Sequence, residues 1–290
     1  MVRFKTPRNA VLLAAASLAV CGAAEAQTLI PPAAKPGMAA ASAQTPTYAD
    51  LAELADSAPV VVHARIKKLA RIEDARTRPP RPGSGRFYVM AETRALITGR
   101  SAIGQSFAYL VDLPLDDRGK PRARKKDEVI LFARPVPGRG AELQLVRPNA
   151  QIAWSPSAES RVRAIVTALV APEAPPAITG VREVIHVPGN LAGEGETQIF
   201  LNTADASAAS ITVRRQPGQA PQWGASFSEL VAAAGRPPEP DTIEWFRLAC
   251  SLPATPPQGA NLSEGAVAQA QAEADYRLVV GSLGTCRRTM

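Results

Sequence analysis

The chain has 290 residues, 46% hydrophobic and 20% charged, with a formal net charge of +7. That balance excludes a disordered or fibrous chain and leaves room for a sizeable core without metal or many disulfides. Two histidines and three cysteines exclude a cysteine-rich zinc array, a histidine-rich metal site or a multi-disulfide mini-scaffold.

Arg3, Lys5 and Arg8 precede an uncharged apolar run from Ala10 to Val20, and Ala24-Glu25-Ala26 is a small-x-small cleavage site. This pattern predicts a signal peptide over residues 1–26 and export to the periplasm or beyond. The run is too short to cross a bilayer. Leu18-Ala19-Val20-Cys21 is similar to a lipoprotein box, but Val20 stands where a small residue belongs, so acylation at Cys21 is the lesser alternative. Cleavage leaves Cys250 and Cys286 in an oxidising compartment, where a disulfide between them is expected, and lowers the charge to +5. Residues 27–46, rich in Ala, Pro, Gly, Ser and Gln, read as a flexible tether.

Thr47 and Asp50 form a capping box for a short helix through Ala58, with Leu51 and Leu54 facing inward. Five strand-like segments follow, around residues 60–67, 87–95, 107–113, 128–133 and 143–145. Five short strands after one helix predict a small barrel over residues 47–150. The stretch Asp50–Ile66, the pair Thr98-Gly99 and Asp127–Phe132 resemble secreted bacterial OB-like domains, similar in layout to inhibitor and netrin-type barrels. The chain lacks the N-terminal cysteine with which the inhibitor version engages zinc, so the resemblance does not carry that activity. As a whole the sequence resembles uncharacterised secreted proteins of Gram-negative bacteria, which implies a compartment and no reaction.

Residues 151–290 change character. Ser155-Pro156 opens an amphipathic helix carrying Val162, Ile165, Val166 and Leu169. Strand candidates cover Val181–Val187, Thr197–Asn202 and Ile211–Arg215. Capping residues predict helices over 226–235 and 241–250, and a longer one over 263–280 with Val267, Ala270, Ala274 and Leu278 on its buried stripe. The expected fold is mixed α+β: a five-stranded OB-like barrel followed by an α+β domain with C-terminal helices. Trp154, Trp223 and Trp245 read as core anchors of that second part.

Catalytic signatures for hydrolases, phosphate loops, zinc proteases and dinucleotide folds are missing, and no cofactor or metal is expected. Alternation places His63 on one face with Arg65 and Lys67, a solvated histidine. Glu183 and His186, three apart on a strand, point to opposite faces and His186 reads as structural. Glu194 and Glu196 in a glycine-bracketed loop, near Glu183, keep a carboxylate hydrolase open as an alternative function. Two basic stretches stand out: Lys67, Lys68, Arg71, Arg76, Arg78, Arg81 and Arg86, then Lys120, Arg122, Arg124, Lys125 and Lys126. With no stacking aromatics interleaved and export expected, nucleic acid is not the anticipated partner. The second stretch is the candidate anion-binding site, and the expectation is an exported, non-enzymatic binding or scaffolding protein of the envelope, acting on an anionic envelope component or an exported protein. A barrel-type inhibitor of an exported enzyme is the remaining alternative.

Overall fold

The computed structural model describes residues 45–73, 79–100, 102–228 and 236–290, which belong to one compact unit. The expected signal peptide, the lipoprotein box at Cys21, most of the tether, Arg76, Arg78 and residues 229–235 of the helix expected over 226–235 lie outside the described residues, and Ser226, its expected cap, is instead the last residue of a strand.

Apolar residues, alternating in β2 and continuous through the middle of β4, build the first sheet: β1 (Val60–Arg71), β2 (Ser84–Gly99), β3 (Ser106–Pro114), β4 (Glu128–Val136) and β5 (Arg139–Leu145). They are ordered β1-β2-β3-β5-β4, and β4 pairs back onto β1, from Val60 opposite Ala133 to Arg65 opposite Glu128. The result is a closed five-stranded barrel in which β3 and β5 run parallel and every other pairing is antiparallel. Val62, Ala64, Ile66, Phe87, Val89 and Val111 are among the residues buried in it. A short strand the sequence did not signal, β6 (Gln151–Ala153), continues the line of β5 along β4.

Helix α1 (Tyr48–Asp56) carries the expected capping box between Thr47 and Asp50, and buries Leu51 and Leu54. Helix α2 (Pro156–Leu169) starts at its Ser155 cap and packs against α1. The second sheet, ordered β10-β9-β8-β7, contains β7 (Ile178–Pro188), β8 (Gly195–Thr203), β9 (Ser210–Arg215) and β10 (Gln222–Ser226). Only β10 was missed, because Gly224 interrupts a five-residue run with no alternation.

Helix α3 (Ile243–Ala249) is capped by Thr242, and α4 (Gly265–Leu283) packs on β7 and β8. The buried stripe of α4 is Ala268, Ala272, Asp275, Tyr276, Val279 and Leu283, not the one expected: Val267 is 87% exposed and Ala270 is also exposed. Counting only apolar residues shifted the stripe, because two of the innermost positions are an aspartate and a tyrosine. Trp223 donates to Ser282 Oγ and Trp245 to the Leu283 carbonyl, so both buried indoles anchor this helix. Cys250 and Cys286 form a disulfide with Cα atoms 5.1 Å apart.

One apolar cluster joins the two sheets and the helices. Arg247, buried at α3, grips Asp56 at the end of α1 with two hydrogen bonds of 2.6 and 2.9 Å and donates to the Pro175 carbonyl. Buried Asp50 accepts from the backbone and hydroxyl of Thr289 and of Thr47. Burial pushes its carboxyl up, but those hydrogen bonds prevail and hold it below the ordinary carboxylate range. Among the described residues no helix is long and apolar enough to cross a membrane.

Candidate functional site

Both histidines are buried. His63 shares a face of β1 with Arg65, as alternation requires, but that face is covered rather than solvated: the residue is only 8% exposed. Its Nε2 lies 3.0 Å from Glu128, which also accepts from Arg65, and its ring stacks on Trp154 at 4.7 Å. The Trp154 indole in turn donates to Glu159 on α2. The expectation of a surface histidine is therefore corrected, since the covering groups come from far along the chain.

His186 faces the core, whereas Glu183 pairs with exposed Arg182. The Thr197 hydroxyl donates to Asp275, whose other oxygen is held by Arg215 at 2.6 and 2.7 Å. A hydroxyl has one proton to give, so Thr197 accepts from His186 Nδ1 at 2.8 Å, and neutral His186 carries its proton there. Burial pushes His186 below its ordinary value of 6.5; Asp275 opposes this and Arg215 adds to it. The unfolded chain thus takes up a proton near pH 6.5 that the folded chain refuses. Stability should fall as pH drops below about 6.5 and level off below the folded-state pKa. Urea titrations at a series of pH values should show this loss in the parent chain and a smaller one in His186→Gln; parallel curves would contradict the assignment.

The three glutamates of the alternative hydrolase reading do not converge. Glu194 folds back onto the amides of Asn190 and Leu191, and Glu196 pairs with Arg214 at 2.8 Å. Glu183 lies opposite Phe200, whereas Glu196 lies opposite Val187, four residues and about 13 Å further along the strand. Among the described residues no group of three or more His, Cys, Asp or Glu side chains could hold a metal ion.

The basic stretches, by contrast, come together. Beyond Arg65, β1 is no longer paired with β4 and runs on along β2 alone, with Lys67, Lys68 and Arg71 exposed. The β3–β4 loop returns beside them: the Ile66 amide donates to the Asp127 carbonyl at 2.9 Å, and the Lys126 amide donates to the Ile66 carbonyl at 2.8 Å. Arg71 reaches the Gly119 carbonyl at 3.4 Å. The loop is built, not loose. Leu115 bridges Pro121, Asp116 accepts from the amides of Arg118 and Lys120, and Asp127 accepts from that of Arg124. Its turns leave Arg118, Lys120, Arg122, Arg124, Lys125 and Lys126 exposed. Two carboxylates that might have neutralised them are turned onto backbone amides. Lys67 is paired with Glu92 and Arg71 with Glu73, but Lys120, Arg124, Lys125 and Lys126 have no ion-pair partner among the described residues. Arg86, grouped with the cations in the sequence, instead points to the barrel wall and is bound bidentately by Asp112 at 2.7 and 2.9 Å.

An open groove of about 610 Å³ runs along the barrel wall between β2, β3 and β5. Tyr88, 39% exposed, stands opposite Leu110, 46% exposed, and Ile72 also lines the groove. Sequence reasoning passed over these residues. The signal was present: a strand that turns Phe87 and Val89 inward must turn Tyr88 outward. No family model matches the chain, and no curated protein matches it.

Proposed function

We propose that this chain is an exported, non-enzymatic binding or scaffolding protein that attaches to an anionic component of the bacterial envelope. One observation carries the reading: Lys67, Lys68 and Arg71 and the cations of residues 118–126, about fifty residues apart, adjoin through the Arg71–Gly119 and Ile66–Lys126 hydrogen bonds. A set of like charges held close by an ordered loop loses little entropy on meeting a charged surface, and each lysine or arginine near an anionic bilayer contributes about 1 kcal/mol. Export is supported by the N-terminal sequence pattern and by the Cys250–Cys286 bond, which suits an oxidising compartment.

The test is co-sedimentation of the mature chain with vesicles of phosphatidylglycerol in phosphatidylcholine. Binding should weaken steeply with salt and drop to background when Lys120, Arg122, Arg124, Lys125 and Lys126 are all changed to Glu. Equal binding by this variant, or by the parent chain to neutral vesicles, would remove the proposal.

A further inference from the structure

The imidazole of His63 sits where β1, β4 and α2 meet, and each of its two ring nitrogens faces a carboxylate. Nε2 lies 3.0 Å from Oε2 of Glu128, at the start of β4. Nδ1 lies 3.6 Å from Oε2 of Glu159, in the first turn of α2. The arginines of the cluster bind the other two oxygens: Arg65 and, at 3.8 Å, Arg94 approach Oε1 of Glu128, and Arg163 takes Oε1 of Glu159. Trp154, in the corner between β6 and α2, stacks on the ring and donates to Oε2 of Glu159. Only 10% of the His63 side chain is exposed.

A neutral imidazole has one N–H for these two oxygens. The shorter distance puts it on Nε2, donating to Glu128. The Nδ1 lone pair then faces a carboxylate oxygen, a repulsive contact across a gap too wide for a hydrogen bond. A proton taken up at Nδ1 supplies the missing donor and turns repulsion into attraction. The resulting cation also suits the face of Trp154. Arg65, Arg94 and Arg163 oppose a further positive charge, but each is turned to the far oxygen of its carboxylate, whereas both Oε2 atoms face the ring. Hydrogen bonds from Arg65 hold Glu128, and those from Trp154 and Arg163 hold Glu159, below the ordinary carboxylate range, so both stay charged in mild acid. We propose that His63 is a proton-operated clamp, in which acid closes the gap between Nδ1 and Glu159 and draws the first turn of α2 onto the barrel. The clamp is independent of the basic surface and of what that surface binds.

A double-mutant cycle of His63→Gln and Glu159→Gln, read by urea unfolding at pH 5.0 and pH 7.5, isolates the pair, because the contribution of distant His186 is common to all four chains and cancels. The unfolding constant should show a favourable coupling of at least fivefold at pH 5.0 and no favourable coupling at pH 7.5. Favourable coupling of equal size at both pH values, or none at either, would overturn the clamp. The parent chain gives a second reading that needs no change at His63. With nitrogen-15 in the histidines, and His186→Gln to tell the two rings apart, acid should convert both ring nitrogens of His63 to N–H, with the Nδ1 proton protected from exchange with water. An Nδ1 proton in free exchange with water would overturn the proposal whether or not the variants fold.

Discussion

Changing Asp275 to Ala should destabilise the folded chain by about 3 to 5 kcal/mol, the range found when one partner of a buried charge pair is removed. The carboxylate is fully buried on α4. It receives Arg215 from β9, Thr197 from β8 and Gln271 from its own helix. Without it the Arg215 guanidinium, largely enclosed, keeps its charge and loses its partner. Thr197 loses its acceptor, and the His186 tautomer loses its reference. Asp275→Asn should cost less, because an amide oxygen still accepts from Thr197 while the charge is gone. Urea denaturation followed by tryptophan fluorescence measures both, and a loss in Asp275→Ala no larger than that of an exposed aspartate would contradict this account of the sheet–helix junction.

The second large effect is expected at the disulfide. Cys250 and Cys286 close a loop with a sequence separation of 36. Cross-linking a loop of that length restricts the unfolded chain by about 4 kcal/mol on the chain-entropy estimate. For a folded unit of this size that corresponds to a fall of roughly 8–16 °C in melting midpoint when both cysteines become alanine. Helix α4 should loosen first, because Cys286 follows it directly while Trp223 and Trp245 hold its last turns by single hydrogen bonds. Scanning calorimetry of the double variant reads the midpoint, and hydrogen exchange reads where protection is lost. An unchanged midpoint would show that packing of Tyr276, Val279 and Leu283 alone fixes the helix.

Much of the architecture was legible because it depends on local rules. Period-two alternation marked the first three barrel strands, a continuous apolar run marked the fourth and Leu143 with Leu145 the fifth, and three strands of the second sheet were placed between turn residues. The caps at Thr47 and Ser155 marked helix starts, and the box read from Asp241 to Glu244 fell one residue ahead of the observed cap, Thr242. What escaped depends on contacts between distant residues. Alternation put His63 on the right face of β1, but nothing near it in sequence announces that Glu128, Trp154 and Glu159 cover that face. The stripe of α4 was misplaced because Asp275 is polar and is buried only by virtue of Arg215 and Thr197, some sixty to eighty residues earlier. The basic surface was visible as two separate runs. Their union depends on the closed barrel, which brings the β3–β4 loop back along the end of β1, and the same closure took Arg86 out of the set by placing Asp112 opposite it.

A double-mutant cycle tests that union. Lys68→Gln with Arg71→Gln forms one arm, and Lys125→Gln with Lys126→Gln the other, each read as affinity for phosphatidylglycerol vesicles at fixed salt. Two neutralised cations at a membrane surface should weaken binding by about 2 kcal/mol, roughly thirtyfold. A loss of that order is expected in each arm and a larger loss in the combination. Undiminished affinity in the β1 arm, alongside a full loss in the loop arm, would contradict a single surface.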